Sequence, residues 1–313
     1  MKAAILKQQG GVANFEIAHV PIPALKQDEV LIKTKAISIN PADALVRENK
    51  SIAWIFGDQR PLILGWDVSG EIVGLGSNVY QYKVGDEVFG VLRHPGIGRT
   101  YAEYVAAPVA DIALKPDNIS HQDAAAATLA ALTVLQPMRK VGVKKNDRVL
   151  VTAAGGGVGH FAVQLAKHYG AHVIALASTA KKDFVMSLGA DEFIDYQTQS
   201  FEKELRDIDL VIHAVRTEGH LIRSLEVLKK GGTLISLWSH VTPEEQERAT
   251  AKGIHAFYNA IASNGDDMKD VADLLHKGIL KPYVSKEYTL EDIAAAHLDI
   301  ETGHTQGKII INI

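Results

Sequence analysis

Cysteine is absent from this 313-residue chain. Its absence excludes disulfides, iron–sulfur clusters, thiolate nucleophiles and every zinc site built on a cysteine ligand. An excess of charge of one sign is lacking too: 33 Lys and Arg stand against 37 Asp and Glu, a formal net charge of −4. That balance gives no electrostatic case for binding nucleic acid or an acidic membrane. Long hydrophobic runs are missing. The uncharged stretch Ala124–Met138 contains Thr, Gln and Pro, is too short to cross a bilayer and reads as a buried helix. The opening residues, MKAAILKQQG, show neither the apolar core nor the cleavage pattern of a secretory leader, so the sequence predicts a cytoplasmic protein. No phosphate-binding P-loop, Ser/His/Asp set or carboxylate pair stands out.

What is present is an ordinary globular composition, 47% apolar and 22% charged, in a chain long enough for two domains with cores of their own. The first third is rich in short β-branched or alternating runs, such as KAAIL, DEVLIKTKAISIN, DVSGEIVGLG and DEVFGVL, cut by Gly, Pro and Asp. Six glycines from Gly65 to Gly90 suit the corners of a small β-barrel. Near residue 121 the texture turns Ala- and Leu-rich, with Ser120 as an N-cap. From Asp147 to about Asn264 short apolar runs alternate with helical segments, which predicts a parallel α/β sheet. Two helices and a closing strand, GKIIINI, follow. That strand matches the first third in character. The expected division is 1–120 and 266–313 in one domain, with 121–265 inserted as the other.

The segment VLVTAAGGGVGHFAVQLAKHYGAHVIALAS, Val149–Ser178, reads as strand, glycine-rich turn, helix and strand. Val158, Phe161, Ala162, Leu165, Ala166 and Tyr169 form one apolar stripe at helical spacing. Set against G-x-G-x-x-G, Ala154 replaces the first glycine, while Gly156 and Gly159 match the second and third. In this context the turn predicts a dinucleotide site. Gly156, Gly157, Val158 and Gly159 would meet the pyrophosphate at the helix N-terminus. The next strand lacks the acid that an NAD enzyme places on the ribose hydroxyl: no Asp or Glu falls between Gly170 and Lys182. Ser178, Thr179, Lys181 and Lys182 offer hydroxyls and cations to a 2′-phosphate instead, so the expected cofactor is NADP(H).

Several ordered stretches resemble the medium-chain dehydrogenase/reductase superfamily, in its zinc-independent quinone oxidoreductase branch. They are SINPADALVR, ILGWDVSGEIVGLGSNVYQYKVGDEVFG, YAEYV, the glycine turn with its helix, SLGADEFIDY, GGTLISLW and GHTQGKIIINI, and together they span nearly the whole chain. The resemblance implies an α/β fold: a GroES-like β-barrel substrate domain with an inserted Rossmann domain. It also implies a homodimer joined through the Rossmann sheets. The catalytic-zinc ligands of the related alcohol dehydrogenases align with Asn40 and Trp66, and the third falls near a helix without Cys or His, so no metal is expected. The function implied is hydride transfer from NADPH to a quinone or an α,β-unsaturated carbonyl. Two alternatives remain open: reduction or oxidation of another small carbonyl or alcohol, and a non-catalytic NADPH-binding sensor or structural role.

The resemblance nominates Asn40 and Asp43 beside the nicotinamide, with Asn40 reaching the reacting centre. It also nominates Thr133 and Tyr196 as cofactor contacts, Tyr196 at the phosphate end. Tyr101 is a candidate proton donor, although a role in a barrel strand competes with it. Arg47 has two readings, binding substrate or fixing its own loop, and the second is favoured. Trp54, Phe56 and Trp66 could wall a planar acceptor. Two departures stand out: His213 and Arg216 replace the usual Asp and Gly after the fourth sheet strand, and Trp238 replaces a Gly after the fifth. Both fall where the nicotinamide should dock, and Trp238 is counted among the cofactor contacts.

Overall fold

The computed structural model describes residues 1–313 and divides them into two units, Met1–Leu132 with Ile261–Ile313, and Thr133–Ala260. Strands β1 (Lys2–Leu6), β2 (Phe15–His19), β3 (Glu29–Ile39), β4 (Leu62–Ile63), β5 (Asp67–Leu75), β6 (Glu87–Val91), β7 (Tyr104–Pro108) and β8 (Ile112–Leu114) come first. Then come β9 (Arg148–Thr152), β10 (His172–Ala177), β11 (Glu192–Asp195), β12 (Ile208–His213), β13 (Leu228–Ser236) and β14 (His255–Tyr258). Strands β15 (Val284–Thr289) and β16 (Lys308–Asn312) close the chain.

The first unit is a seven-stranded sheet ordered β15-β16-β3-β5-β6-β8, with β7 paired to β3, beside a small sheet β2-β1-β4. Most of the long β3 is buried, since it pairs with β5, β7 and β16. Gly70 and Gly90 allow the close approaches inside this sheet: a Cβ at Gly70 would lie 2.3 Å from the Lys33 carbonyl, and one at Gly90 2.4 Å from that of Asp111. The closing strand returns to this unit through antiparallel pairing with β3, Ile309 opposite Ile39. Strand β15 was not legible in the sequence. Its residues, VSKEYT, are mostly polar and none is fully buried, so they carry no apolar alternation.

The second unit is a six-stranded parallel sheet ordered β11-β10-β9-β12-β13-β14. Strands β9 and β12 are neighbours although β10 and β11 lie between them in the chain. The crevice outside their carboxyl ends is therefore the topological switch point of a doubly wound fold. Leu150, Ile174, Val211, Leu221, Leu225 and Leu234 lie in one buried core of this unit.

The unit boundaries fall at 132/133 and 260/261, whereas the sequence put them at 120/121 and 265/266. The helix His121–Ala126 packs onto the barrel, where Ala125 and Ala126 share a core with Ala36 and Ile310. Ser120 caps it by accepting from the Asp123 N–H, as the sequence predicts. The stretch Ala124–Met138 is not one helix. It breaks at Ala127–Thr128 and resumes as Leu129–Val141. The Thr128 hydroxyl donates to the Ala125 carbonyl at 2.7 Å, and the Leu129 N–H is released to the buried Asp67 carboxylate at 3.1 Å.

Candidate functional site

In the second unit the turn after β9 starts at Ala153, whose φ of 51° is left-handed. A non-glycine residue there costs roughly 1–2 kcal/mol. The Ala153 carbonyl accepts from the Gly156 N–H at 2.9 Å. The N–H groups of Gly157 and Val158 donate to no acceptor in the protein, and the helix Gly159–His168 follows directly. Unpaired amides at the start of a helix form a cradle for a phosphate.

The glycines of the turn separate into different roles. A Cβ at Gly159 would lie 2.2 Å from the Ala153 carbonyl oxygen and 2.7 Å from Ala154 Cα, so helix and turn pack there without room for a side chain. A Cβ at Gly156 would meet only the Ala153 oxygen, at 3.2 Å, so the protein itself leaves that side open. Gly155, which the sequence reading passed over, lies under Lys181: its Cβ would fall 2.7 Å from Lys181 Cδ. Lys181 therefore stands over the glycine turn, and burial lowers its pKa.

The carboxyl ends of β10 and β11 bring Ser178 and Tyr196 side by side, since Ala177 and Asp195 are in register and the Tyr196 N–H donates to the Ala177 carbonyl. Tyr196 is half exposed. Thr179 has a different engagement from the one expected. Its hydroxyl donates to the buried Asp195 carboxylate, which also accepts from the Gln197 N–H at 2.9 Å. These bonds, Thr179 first, hold the Asp195 carboxyl below its usual range.

On the far side of the switch point, His213 ends β12 and bonds His220, Nε2 to Nδ1 at 3.0 Å. Burial pushes His213 down to about 3 and His220 to about 4, so both rings are neutral near pH 7. The Arg216 guanidinium carbon lies over the Trp238 ring, 3.1 Å from its centroid, too close for any but a stacked arrangement. The two departures seen in the sequence thus form one stack and one imidazole pair.

In the first unit the nominated residues fall into a buried polar network. Asn40 Nδ2 donates to Asp67 at 2.8 Å, and Asn40 Oδ1 accepts from Lys308 Nζ at 2.6 Å. Lys308 also donates to the Ile39 carbonyl at 3.1 Å and stands 3.9 Å from Asp67. The Asn40 N–H donates to Asp43 at 2.8 Å and so starts the helix Pro41–Glu48. The sequence expected the Asn40 amide at the reacting centre. Instead its oxygen and nitrogen are engaged by Lys308 and Asp67, and Asn40 is only 3% exposed. An Asp at position 40 would oppose the Asp67 carboxylate, so its effect would reach folding before chemistry.

Tyr101 is fully buried, and its hydroxyl meets His297 Nε2 at 3.1 Å. The other nitrogen, Nδ1, lies 3.4 Å from the Arg47 guanidinium. Arginine only donates, so Nδ1 accepts and the proton of His297 sits on Nε2. Arg47 is fixed further by Glu48, Glu301 and the Gly10 carbonyl, the structural role the sequence assigned to it. A fully buried Tyr101 packed on His297 has the surroundings of a barrel residue. Asp67, Lys308 and His297 were missed as partners. Asp67 and Lys308 sit inside quoted motifs, GWD and GKIIINI, but only the pairing of β3 with both β16 and β5 brings them together.

Burial, and next the charge of Asp67, raises Asp43 to about 7. An unfolded Asp titrates near 3.9. Between about pH 4 and 7 the folded chain therefore holds a proton that the unfolded chain has lost, and stability falls as pH rises, by about 1.4 kcal/mol per pH unit at most. Asp43→Asn keeps an oxygen for the Asn40 N–H and removes the titration. Its stability relative to the parent is expected to rise from pH 5 to pH 8. Urea denaturation at both pH values checks this, and parallel changes in the two proteins would refute it.

The three aromatic candidates differ in burial. Trp54 is 70% exposed, while Phe56 and Trp66 are buried. Trp66 donates to the Gly96 carbonyl and lies edge-on to His94. Thr133 is buried in the helix Leu129–Val141. No group of three His, Cys, Asp or Glu side chains is arranged to hold a metal ion, and no helix is long and apolar enough to cross a membrane.

Comparison with known proteins gives three family matches: the alcohol dehydrogenase GroES-like domain over residues 26–117, the zinc-binding dehydrogenase family over 188–311, and the alanine dehydrogenase/PNT C-terminal domain over 123–227. The chain is 35% identical to an NADPH-dependent alkenal/one oxidoreductase of Arabidopsis thaliana chloroplasts, over 99% of this chain and 79% of that protein. It is 34% identical to a 2-methylene-furan-3-one reductase of Solanum lycopersicum, over 100% of this chain and 79% of that one. Among solved structures, the quinone oxidoreductase from Coxiella burnetii superposes with a TM-score of 0.94 at 33% identity, over 100% of this chain and 99% of that one.

Proposed function

Because this chain belongs to the medium-chain dehydrogenase/reductase superfamily, in its quinone oxidoreductase branch, we propose that it is a zinc-independent reductase that uses NADPH to reduce quinones or α,β-unsaturated carbonyls. The observation that carries this reading is the carboxyl edge of β10 and β11. Ser178 stands where an NAD enzyme has an acid, Tyr196 is beside it, and Lys181 lies over the glycine turn. The names of the similar reductases supply the substrate class.

The reduced nicotinamide, when bound, supplies the hydride. The chain supplies the placement. The free amides of Gly157 and Val158 and the helix behind them would hold the pyrophosphate, and the open side of Gly156 would admit it. Lys181, Ser178 and Tyr196 receive the 2′-phosphate. Thr179 acts at one remove, by holding the Asp195 carboxylate away from that phosphate. Thr133 is a further cofactor contact. Asn40 and Asp43 are positioning residues in this reading, because Asn40 bonds Lys308 and Asp67 and Asp43 accepts from the Asn40 N–H. Asn40 and Trp66 occupy the positions of zinc ligands with groups that hold zinc poorly, which supports metal independence. An acceptor already activated by conjugation needs no Lewis acid as strong as a metal ion. Trp54 offers an exposed flat face to such an acceptor. The edge strand β14 is where a second copy would extend the sheet into a homodimer, and a cytoplasmic location completes the proposal.

Titration with both cofactors tests it. NADPH is expected to bind at least about tenfold more tightly than NADH, or about 1.4 kcal/mol. Lys181→Ala should weaken NADPH and leave NADH nearly unchanged. Equal affinities in the parent protein would overturn the cofactor assignment.

A further inference from the structure

The pair Arg216 and Trp238 has no counterpart in the dinucleotide fingerprint. His213 and Ser236 are in register at the ends of β12 and β13, and the Leu237 N–H donates back to the His213 carbonyl at 2.9 Å. The two segments therefore leave the sheet side by side, and Arg216 stacks on Trp238 within them. Stacking occupies a face of the guanidinium and leaves its in-plane N–H edges for an acceptor. No carboxylate or carbonyl of the chain takes them. Glu218, two residues on, makes no ion pair with Arg216, and the neutral His213 and His220 add no charge.

The location narrows the ligand. The 2′-phosphate candidates Ser178, Lys181 and Tyr196 belong to the β10 and β11 side, and the pyrophosphate cradle follows β9. A dinucleotide laid across the switch point in that sense would bring its nicotinamide to β12 and β13. Arg216 thus stands on the reacting side, away from the phosphate cradle of the cofactor.

We propose that Arg216, held flat by Trp238, binds a carboxylate on the acceptor, so that the preferred substrates are acidic enones carrying a carboxylate beside the reducible double bond. This rests on the reductase reading above and adds a substrate class to it. The planar fork of arginine matches a carboxylate through two parallel hydrogen bonds, which a neutral carbonyl cannot offer.

The test compares 4-oxopent-2-enoate with its methyl ester. The parent protein is expected to show kcat/KM at least about tenfold higher for the acid, mainly through KM. Arg216→Gln should raise KM for the acid by about tenfold or more, change the ester less than about threefold, and leave the NADPH dissociation constant unaltered. Arg216→Lys should restore part of the difference. Equal losses for acid and ester would put Arg216 on the reacting carbonyl, and weaker NADPH binding would put it on the cofactor. Either result overturns the proposal. Calorimetry of the acid on NADP⁺-loaded protein separates the two readings. Arg216-dependent binding without turnover of either compound would sink the reductase reading and keep the anion site. Turnover of the ester with no effect of Arg216 on the acid would do the reverse.

Discussion

Gly156→Val is expected to abolish NADPH binding, with at least about a hundredfold loss of affinity, or about 2.7 kcal/mol, while the protein stays folded. A Cβ at this position meets only the Ala153 carbonyl oxygen, at 3.2 Å, so the turn must give by a few tenths of an ångström, and Gly156 has no left-handed backbone requirement. The side chain then fills the space the pyrophosphate needs beside the free amides of Gly157 and Val158. Gly159→Ala is the contrasting control. Its methyl would be driven to 2.2 Å from the Ala153 oxygen, so the cost falls on folding itself, on the order of 1–3 kcal/mol or more. Thermal denaturation and NADPH titration of both variants separate the two roles. A folded Gly156→Val that binds NADPH normally would make the turn purely structural.

The second large effect lies in the barrel. Lys308→Met removes the one cation that bonds Asn40 and faces Asp67 inside a network shielded from water. Burial pulls the Lys308 pKa down and pushes that of Asp67 up, and each opposes the shift of the other by its charge. Taking one partner away from such a buried pair typically costs about 3–5 kcal/mol, because the remaining charge is left uncompensated. That loss is expected in urea denaturation of Lys308→Met. Adding Asp67→Asn should recover part of it, since the neutral amide no longer needs a counter-ion. A double variant whose loss equals the sum of the single losses would show that the two residues act independently.

Much of this was legible in the sequence because the signals are local. The glycine turn, its helix and the missing acid after β10 lie within one segment, and periodicity with turn chemistry is enough to read it. The return of the last strand to the barrel was legible from its apolar run. Contacts between distant segments were not. Asp67 and Lys308 are separated by most of the chain, and no spacing rule relates them. Asn40 therefore looked like a residue without partners, when its amide bonds both. The break between Ala126 and Leu129 was hidden for a similar reason. A run of good helix formers gives no sign that one of its amides is needed by a buried carboxylate elsewhere. Strand β15 escaped because its pairing with β16 is set by tertiary context, with no alternation of its own. Arg216 and Trp238 were visible as departures, and only the fold shows that they are one unit.

Metal-free reduction of conjugated acceptors is tested most directly by NADPH oxidation with the purified protein, in the presence of EDTA, with an α,β-unsaturated ketone, a quinone and the saturated ketone of the same skeleton. Turnover of the conjugated acceptors is expected, with little or none of the saturated ketone and no loss of activity on chelation. Reduction of the saturated ketone at a comparable rate, dependence on a chelatable metal, or no oxidation of NADPH with any acceptor would contradict it.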